Sequence, residues 1–351
     1  MKNGWLPAAY PIVQAPMLGV TSPAMVAAAA NAGALGSLPV GGLSYDQTAA
    51  LIQAVKSLTK LPFAVNLFVH DIPSVIDEQA FDDMQVWMQQ TADKYQLAFQ
   101  PLQRAQLQFF HYTEQLPLLV DPQIAVVSFT FGNLNSEAIQ FLHQHNKILV
   151  GTATSAEEAK VLDESGIDVI TAQGIEAGGH RGAFLHPEQL PQIGLLTLLQ
   201  SIQQVTKKPI IAAGGIGHAA AAKAAMVAGA QAVQIGSLFL ASNESLAIPA
   251  YKTAVLQSKD TSTALTRAFS GRWARGIQNT FMQLLEKEGI DIPPYPVQNS
   301  LTTGFRKAAQ AANNSELTNL WAGQMANKAR EASTTIILQE LIAAGKAVGA
   351  W

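Results

Sequence analysis

A rhythm constrains this chain more than any single motif does. Between Pro11 and about Ala241, short runs that are apolar throughout alternate with amphipathic, alanine-rich stretches. The runs are PIVQAPM, LGSLPV, FAVNLF, AVVSFTF, KILVGTA, DVITAQG, PIIAAGGI and AVQIGSLF. A strand that is apolar on both faces belongs to a parallel sheet covered from both sides, because a half-solvated strand would alternate. Helical stretches such as SPAMVAAAANAGA and SAEEAKVLDESG fill most of the gaps, opening on Ser22 and Ser155, whose hydroxyls suit N-caps. Strand then helix, repeated in this way, predicts an α/β fold of the (β/α)8 TIM barrel type. An internal echo agrees: the stretches from Ala156 and Ala219 align with Lys160 over Lys223 and Gly166 over Gly229. Duplication and the ordinary composition of βα units both produce such an echo, and either supports the barrel.

Two regions break the rhythm. Residues 70–119 are too long for a simple connection, and DEQAFDDMQVWMQQTADKYQ and PLQRAQLQFFHYTEQL each predict a helix there. After Ser245, TSTALTRAFSGRWARGI alternates like a hairpin, DIPPYP reads as an extended loop, and the end returns to helix. The expected organisation is a barrel over residues 1–244 and 304–351, the latter as packed C-terminal helices. Residues 245–303 are expected to form a smaller α+β cap on the substrate side.

Composition removes several functions. Only 13% of residues are charged and the net charge is −3, with the signs interspersed. Nucleic acid binding needs a dense cationic face, so nucleic acid is not an expected partner. The absence of cysteine excludes disulfides, thiolate nucleophiles, iron–sulfur clusters and cysteine-ligated zinc. The N-terminal MKNGWLPAAYPIVQAPM lacks the apolar centre of a secretory signal. The apolar region 209–241 is interrupted by glycines, His218, Lys223 and two glutamines, so no membrane span is expected. The expected setting is the cytoplasm, with monomer and homodimer both open.

In a barrel of this kind chemistry collects at the C-terminal ends of the strands. The last two apolar runs end in Gly214-Gly215-Ile216-Gly217 and Gly236-Ser237. Exposed backbone N–H groups beside a helix N-terminus bind phosphate, although such glycines also serve tight turns. Asn66 and Gln173 end two other runs among apolar neighbours. A buried amide needs partners, which a heteroaromatic ring edge or neighbouring backbone can supply. His180 follows Gly178-Gly179 beyond the sixth run, with no second histidine or carboxylate at metal-ligand spacing, so no metal is expected. Its titration near neutrality suits a base. Glu176 is placed to orient it or to be solvated, and Arg181 to attract an anion.

The ordered set QAPMLGVTSP, NLF, QGIEAGGHRG, AAGGI and QIGS, with PYP near Tyr295, resembles the nitronate monooxygenase family, formerly grouped as 2-nitropropane dioxygenases. The similarity covers most of the barrel, from Pro11 to about Ser242. It implies an FMN-containing barrel that oxidises alkyl nitronates with O2 to a carbonyl product and nitrite. Propionate 3-nitronate is the implied substrate and detoxification the implied role. Carried over by position, Asn66, Gln173, Gly178, Gly215, Gln234, Ile235, Gly236 and Ser237 would contact FMN. His180 would be the catalytic histidine, and Tyr295 falls in a substrate-side segment. The alternative is the related FMN-dependent enoyl-acyl-carrier-protein reductase, which needs NAD(P)H; GGIGHA lacks a G-x-G-x-x-G fingerprint. The inosine-monophosphate dehydrogenase type of barrel is excluded, because it requires a cysteine nucleophile.

Overall fold

The computed structural model describes residues 4–186 and 189–351. All eight apolar runs form strands of one sheet. In chain order these are β1 (Ile12–Gln14), β2 (Ser37–Pro39), β3 (Phe63–Phe68), β4 (Ile124–Thr130), β5 (Ile148–Ala153) and β6 (Val169–Gln173). After a two-residue strand, β7 (Gly179–His180), come β8 (Ile210–Ala213) and β9 (Ala232–Ile235). Neighbours in the order β1-β9-β8-β6-β5-β4-β3-β2 are parallel. The two edges meet where Val13 bridges Leu35: the Gln14 N–H donates to Leu35 O at 2.9 Å, and the Leu35 N–H to Ile12 O at 2.8 Å. The sheet is therefore a closed (β/α)8 barrel, as the rhythm predicts.

Closure explains why the runs are apolar on both sides. Val13, Leu35, Ala64, Val126, Val150, Val169, Ile211 and Ala232 form a layer inside the barrel, with Leu6 packed against it. Their neighbours Ile12, Val65, Val127, Leu149, Ile170 and Val233 point outward into the main core beneath the helices.

That sheath consists of α1 (Pro23–Asn31), α2 (Tyr45–Leu58) and, beyond an insertion carrying α3 (Glu78–Lys94), α4 (Ser136–Gln144), α5 (Ala156–Glu164), α6 (Leu195–Ile202) and α7 (Ala219–Val227). Ser22 and Ser155 cap α1 and α5, accepting from Met25 N and Glu158 N. The cap region follows, with α8 (Pro249–Leu256), β10 (Thr263–Thr266), β11 (Ala274–Ile277), α9 (Thr280–Glu288) and α10 (Val297–Ala311). Finally α11 (Thr334–Ala347) returns to pack on α1 and α7, completing the sheath. No helix among the described residues is long and apolar enough to cross a membrane.

The insertion differs from expectation. Its first helix is α3, but PLQRAQLQFFHYTEQL is not an α-helix: it gives 3₁₀ turns at Arg104–Gln106 and Tyr112–Val120. Pro117 lies inside the second turn, where it can neither donate a backbone hydrogen bond nor fit a continuing α-helix. This 3₁₀ segment packs on β3, β4, α2 and α4, the place of a barrel helix, and buried Gln115 donates to Val40 O and Leu43 O. Helix α3 goes elsewhere. Its Phe81, Met84 and Trp87 join Phe269, Phe281 and Phe305 in a second core above the barrel. Because α10 supplies Leu301 and Phe305 to that core, a division at residue 303 falls inside one helix.

Candidate active site

The inner face of the barrel changes character toward its C-terminal end. Two residues beyond the apolar layer, on the same face by strand alternation, stand Asn66, Ser128, Thr152, Thr171 and Gln234. Above them opens a cavity of about 660 Å³, within the ~300–1,000 Å³ range of small-molecule and cofactor sites. The histidine and the eight FMN-contact positions nominated from the sequence all line it: Asn66, Gln173, Gly178, His180, Gly215, Gln234, Ile235, Gly236 and Ser237.

One end of the cavity is main chain. Gly214 and Gly215 have φ of +106° and +69°, conformations that disfavour a side chain, and their N–H groups donate to no described residue. Gly236 leads into a short 3₁₀ turn at Ser237–Phe239. A C-terminal strap crosses here: the Gly323 N–H donates to Ser237 Oγ at 3.0 Å and the Gln324 N–H to Glu176 O at 3.0 Å. A Cβ on Gly178 would lie 2.4 Å from Gly323 N, and one on Gly323 would lie 3.0 Å from Gly178 N. Gly178 is thus a glycine because two backbones touch. Of the side-chain amides, Asn66 Nδ2 donates to Ser128 Oγ at 3.0 Å, and that of Gln234 makes no hydrogen bond to a described residue.

The other end is built of side chains. His180 is no loop residue: β7 pairs with β11, His180 opposite Ala274, as the edge of a three-stranded antiparallel sheet β10-β11-β7. The cap hairpin therefore holds its backbone. Its Nε2 lies 2.8 Å from Ser270 Oγ. The same hydroxyl lies 3.1 Å from Arg272 O and accepts from Arg272 N at 3.3 Å, so the main chain at Arg272 fixes Ser270, and Ser270 in turn fixes the ring; the direction of the Nε2–Oγ bond follows the imidazole tautomer. Phe131 and Trp321 stand 5.3 and 5.4 Å from the imidazole, with Phe68 and Tyr295 at 6.3 Å. Burial, reinforced by the positive charges of Arg272 and Arg306, pulls the His180 pKa down to about 3. The ring is neutral. Burial also pushes the Tyr295 hydroxyl up to about 12, partly offset by the same two arginines.

Two expectations change. Glu176 does not orient His180; its carboxylate accepts from Leu195 N at 3.0 and 3.1 Å and caps α6. Arg181 is no anion lure: it is 1% exposed and donates to Gly174 O and Gln173 O at 2.7 and 2.9 Å, stapling its own loop. Gln173 staples it too, donating to His180 O and accepting from Gly182 N. The sequence reading missed Ser270, Arg306, Trp321 and Gly323, which come from the cap hairpin, α10 and the strap. Only Arg306 left a signal, since Asn299, Thr303, Arg306 and Gln310 recur at helical spacing beside the apolar Leu301, Phe305 and Ala309.

Known proteins share this architecture. Residues 1–344 match the family model described as nitronate monooxygenase. A protein named probable nitronate monooxygenase from Staphylococcus aureus is 39% identical over 334 residues, covering 95% of this chain and 93% of the relative. The solved nitroalkane oxidase from Streptomyces ansochromogenes superposes with a TM-score of 0.88 at 34% identity, covering 98% of this chain and 97% of that one. FabK from Thermotoga maritima, at 23% identity and a TM-score of 0.75 over 99% of this chain and 96% of its own, shares the fold. With the match running from the first strand through the last helix, this oxidoreductase belongs to the nitronate monooxygenase family.

Proposed function

We propose that the protein is an FMN-dependent nitronate monooxygenase, taking alkyl nitronates such as propionate 3-nitronate and O2 to a carbonyl product and nitrite, a detoxifying reaction. One observation carries the reading: a neutral imidazole and the Arg306 guanidinium stand at one end of a cavity whose other end offers unpaired main-chain N–H groups.

The residues fit FMN. The N–H groups of Gly214 and Gly215 suit a phosphate near the N-terminus of α7. The amides of Asn66 and Gln234 have hydrogen-bonding capacity left for a ring edge. When bound, FMN supplies electron transfer from the substrate and onward to O2.

The remaining work is that of this chain. A nitronate arrives as an anion, and the Arg272 charge acting at His180 favours it over a neutral molecule. Burial, with the charges of Arg272 and Arg306, holds the basicity of His180 well below the range best suited to removing a carbon-bound proton at neutral pH. Binding an anion beside the imidazole offsets those charges. His180 therefore serves nitronates better than neutral nitroalkanes, with Ser270 fixing the ring. Phe131, Trp321 and Tyr295 keep water from the reacting atoms.

The test is the yellow chromophore and the oxygen trace. Denatured protein should release FMN, and propionate 3-nitronate should drive oxygen uptake with nitrite formation. Bound flavin with a flat oxygen trace would overturn the reading, as would rapid anaerobic bleaching by NADPH.

A further inference from the structure

Arg306 is a charge without a counter-charge. It lines the cavity from α10, and burial pulls its pKa down to about 10. Its partners are all neutral: Nε donates to Thr302 Oγ1, Nη1 to Asn319 Oδ1 at 3.2 Å, and Nη2 to Asn299 O and Oδ1 at 2.9 Å and to Thr303 Oγ1. Among the described residues no carboxylate lies within ion-pair distance of it. Arg104 and Arg330, at the surface, do have carboxylate partners. Burying a cation without an anion is unfavourable unless something else brings the charge.

The surroundings prepare for an anion. Asn299 and Asn319 both turn their Oδ1 atoms to the guanidinium, so each must present its NH2 group elsewhere, and both residues line the cavity. Those NH2 groups donate to no described residue, and Nη1 makes only one bond for its two hydrogens. Lys307 adds a cation at the cavity rim, and no acid stands among Asn299, Ser300, Thr303 and Gln310 along that wall. Arg306, His180 and Tyr295 line the same cavity, and the Arg306 charge is felt at both of the others, so one bound molecule can reach the guanidinium and the imidazole together.

We propose that Arg306, with the amides of Asn299 and Asn319, binds a second anionic group of the substrate, a carboxylate remote from the nitronate carbon, and thereby makes the enzyme select carboxylated over plain alkyl nitronates. This deepens the nitronate reading above and rests on it. A planar carboxylate has two oxygens for the spare Nη1 hydrogen and the two amide groups.

The experiment compares propionate 3-nitronate with propyl-1-nitronate, which has no carboxylate, in the wild type, Arg306→Met and Arg306→Lys. Arg306→Met should lower kcat/KM for the carboxylated substrate by an order of magnitude or more, through KM, and change the other by less than about threefold. Arg306→Lys should recover part of the loss. Equal losses on both substrates would overturn the proposal, since the guanidinium would then serve the reacting group or the scaffold; no loss would overturn it equally. Should Arg306→Met not fold, Asn319→Ala removes one donor, and a smaller loss confined to the carboxylated substrate is expected. A separate arm titrates the purified holoprotein with propionate and follows its visible spectrum; a shift in the wild type that Arg306→Met abolishes is expected. A wild type that oxidises neither nitronate refutes the parent reading, while the propionate titration still decides the anion subsite.

Discussion

The two ends of the cavity are made of different material. At one end Gly214, Gly215, Gly178 and Gly323 present backbone, with the Ser237 hydroxyl holding the strap. At the other, His180, Ser270, Tyr295, Trp321 and Arg306 act through side chains held by the cap, α10 and the strap. A backbone site fails when atoms are added, and a side-chain site fails when atoms are removed. The first end is thus expected to govern retention of the cofactor, and the second its reactivity. Mutations that separate retention from turnover test that division directly.

The largest effect should come from Gly323→Val. Its Cβ would lie 2.8 Å from Glu176 O and 3.0 Å from Gly178 N, both main-chain atoms that cannot swing aside. Either the strap lifts or the loop below moves, costing roughly 1–3 kcal/mol or more. The purified protein should be colourless, with a lower Tm than the wild type. A fully yellow Gly323→Val would dissolve the distinction between the two ends.

Next comes His180→Asn, which keeps a polar group but no ring. It should stay yellow and lose about tenfold or more of kcat/KM on nitronates, the loss expected when a hydrogen-bonding partner of an anion is removed, with a smaller loss on neutral nitroalkanes, whose proton a base of pKa about 3 removes poorly. Unchanged nitronate turnover, or loss of the colour, would show that His180 does not belong to the reactive end.

The barrel was legible because strands buried on both faces must be apolar throughout, a property of each segment alone. The floor of the site was legible by the same logic. AVN, VVS, LVGT and AVQ each step from an inward apolar residue to an inward polar one two places on, as the register of β3, β4, β5 and β9 shows. What the sequence hides is contact between distant segments. Gly179-His180 pairs with Ala274-Arg275, some ninety residues away, and nothing local distinguishes a third strand from a glycine-rich loop. Arg181 and Glu176 misled for the same reason: their partners are carbonyls and an amide that only the folded loop brings within reach. Helix α3 reads as an ordinary insertion until the aromatic side chains of α9 and α10 are seen to receive it.

A finer probe of the reactive end is Ser270→Ala. It removes the hydroxyl 2.8 Å from His180 Nε2 while leaving the cavity wall and the aromatic contacts in place. Losing one such hydrogen bond is worth about 0.5–1.5 kcal/mol, or roughly threefold to tenfold in kcat. Flavin retention should not change. A loss as large as that of His180→Asn would mean Ser270 itself handles a proton.

The smallest expected change in activity is with pH. Because the His180 pKa lies at about 3, the imidazole stays neutral from pH 5.5 to 8 and should contribute no limb to the kcat/KM profile for a nitronate over that range. Stability should respond instead. An unfolded histidine titrates near 6.5, so between about pH 6.5 and 3 the unfolded chain binds a proton that the folded chain refuses. Stability contributed by neutral His180 is therefore present above pH 6.5 and lost progressively as the pH falls toward 3. His70, lowered chiefly by burial, adds to the same slope. Denaturant midpoints measured from pH 7 to 4.5 should fall in the wild type and fall less steeply in His180→Asn, whose side chain does not titrate. Parallel slopes would place the His180 pKa near its ordinary value, and an acidic limb in the nitronate profile would then be expected in the same pH range.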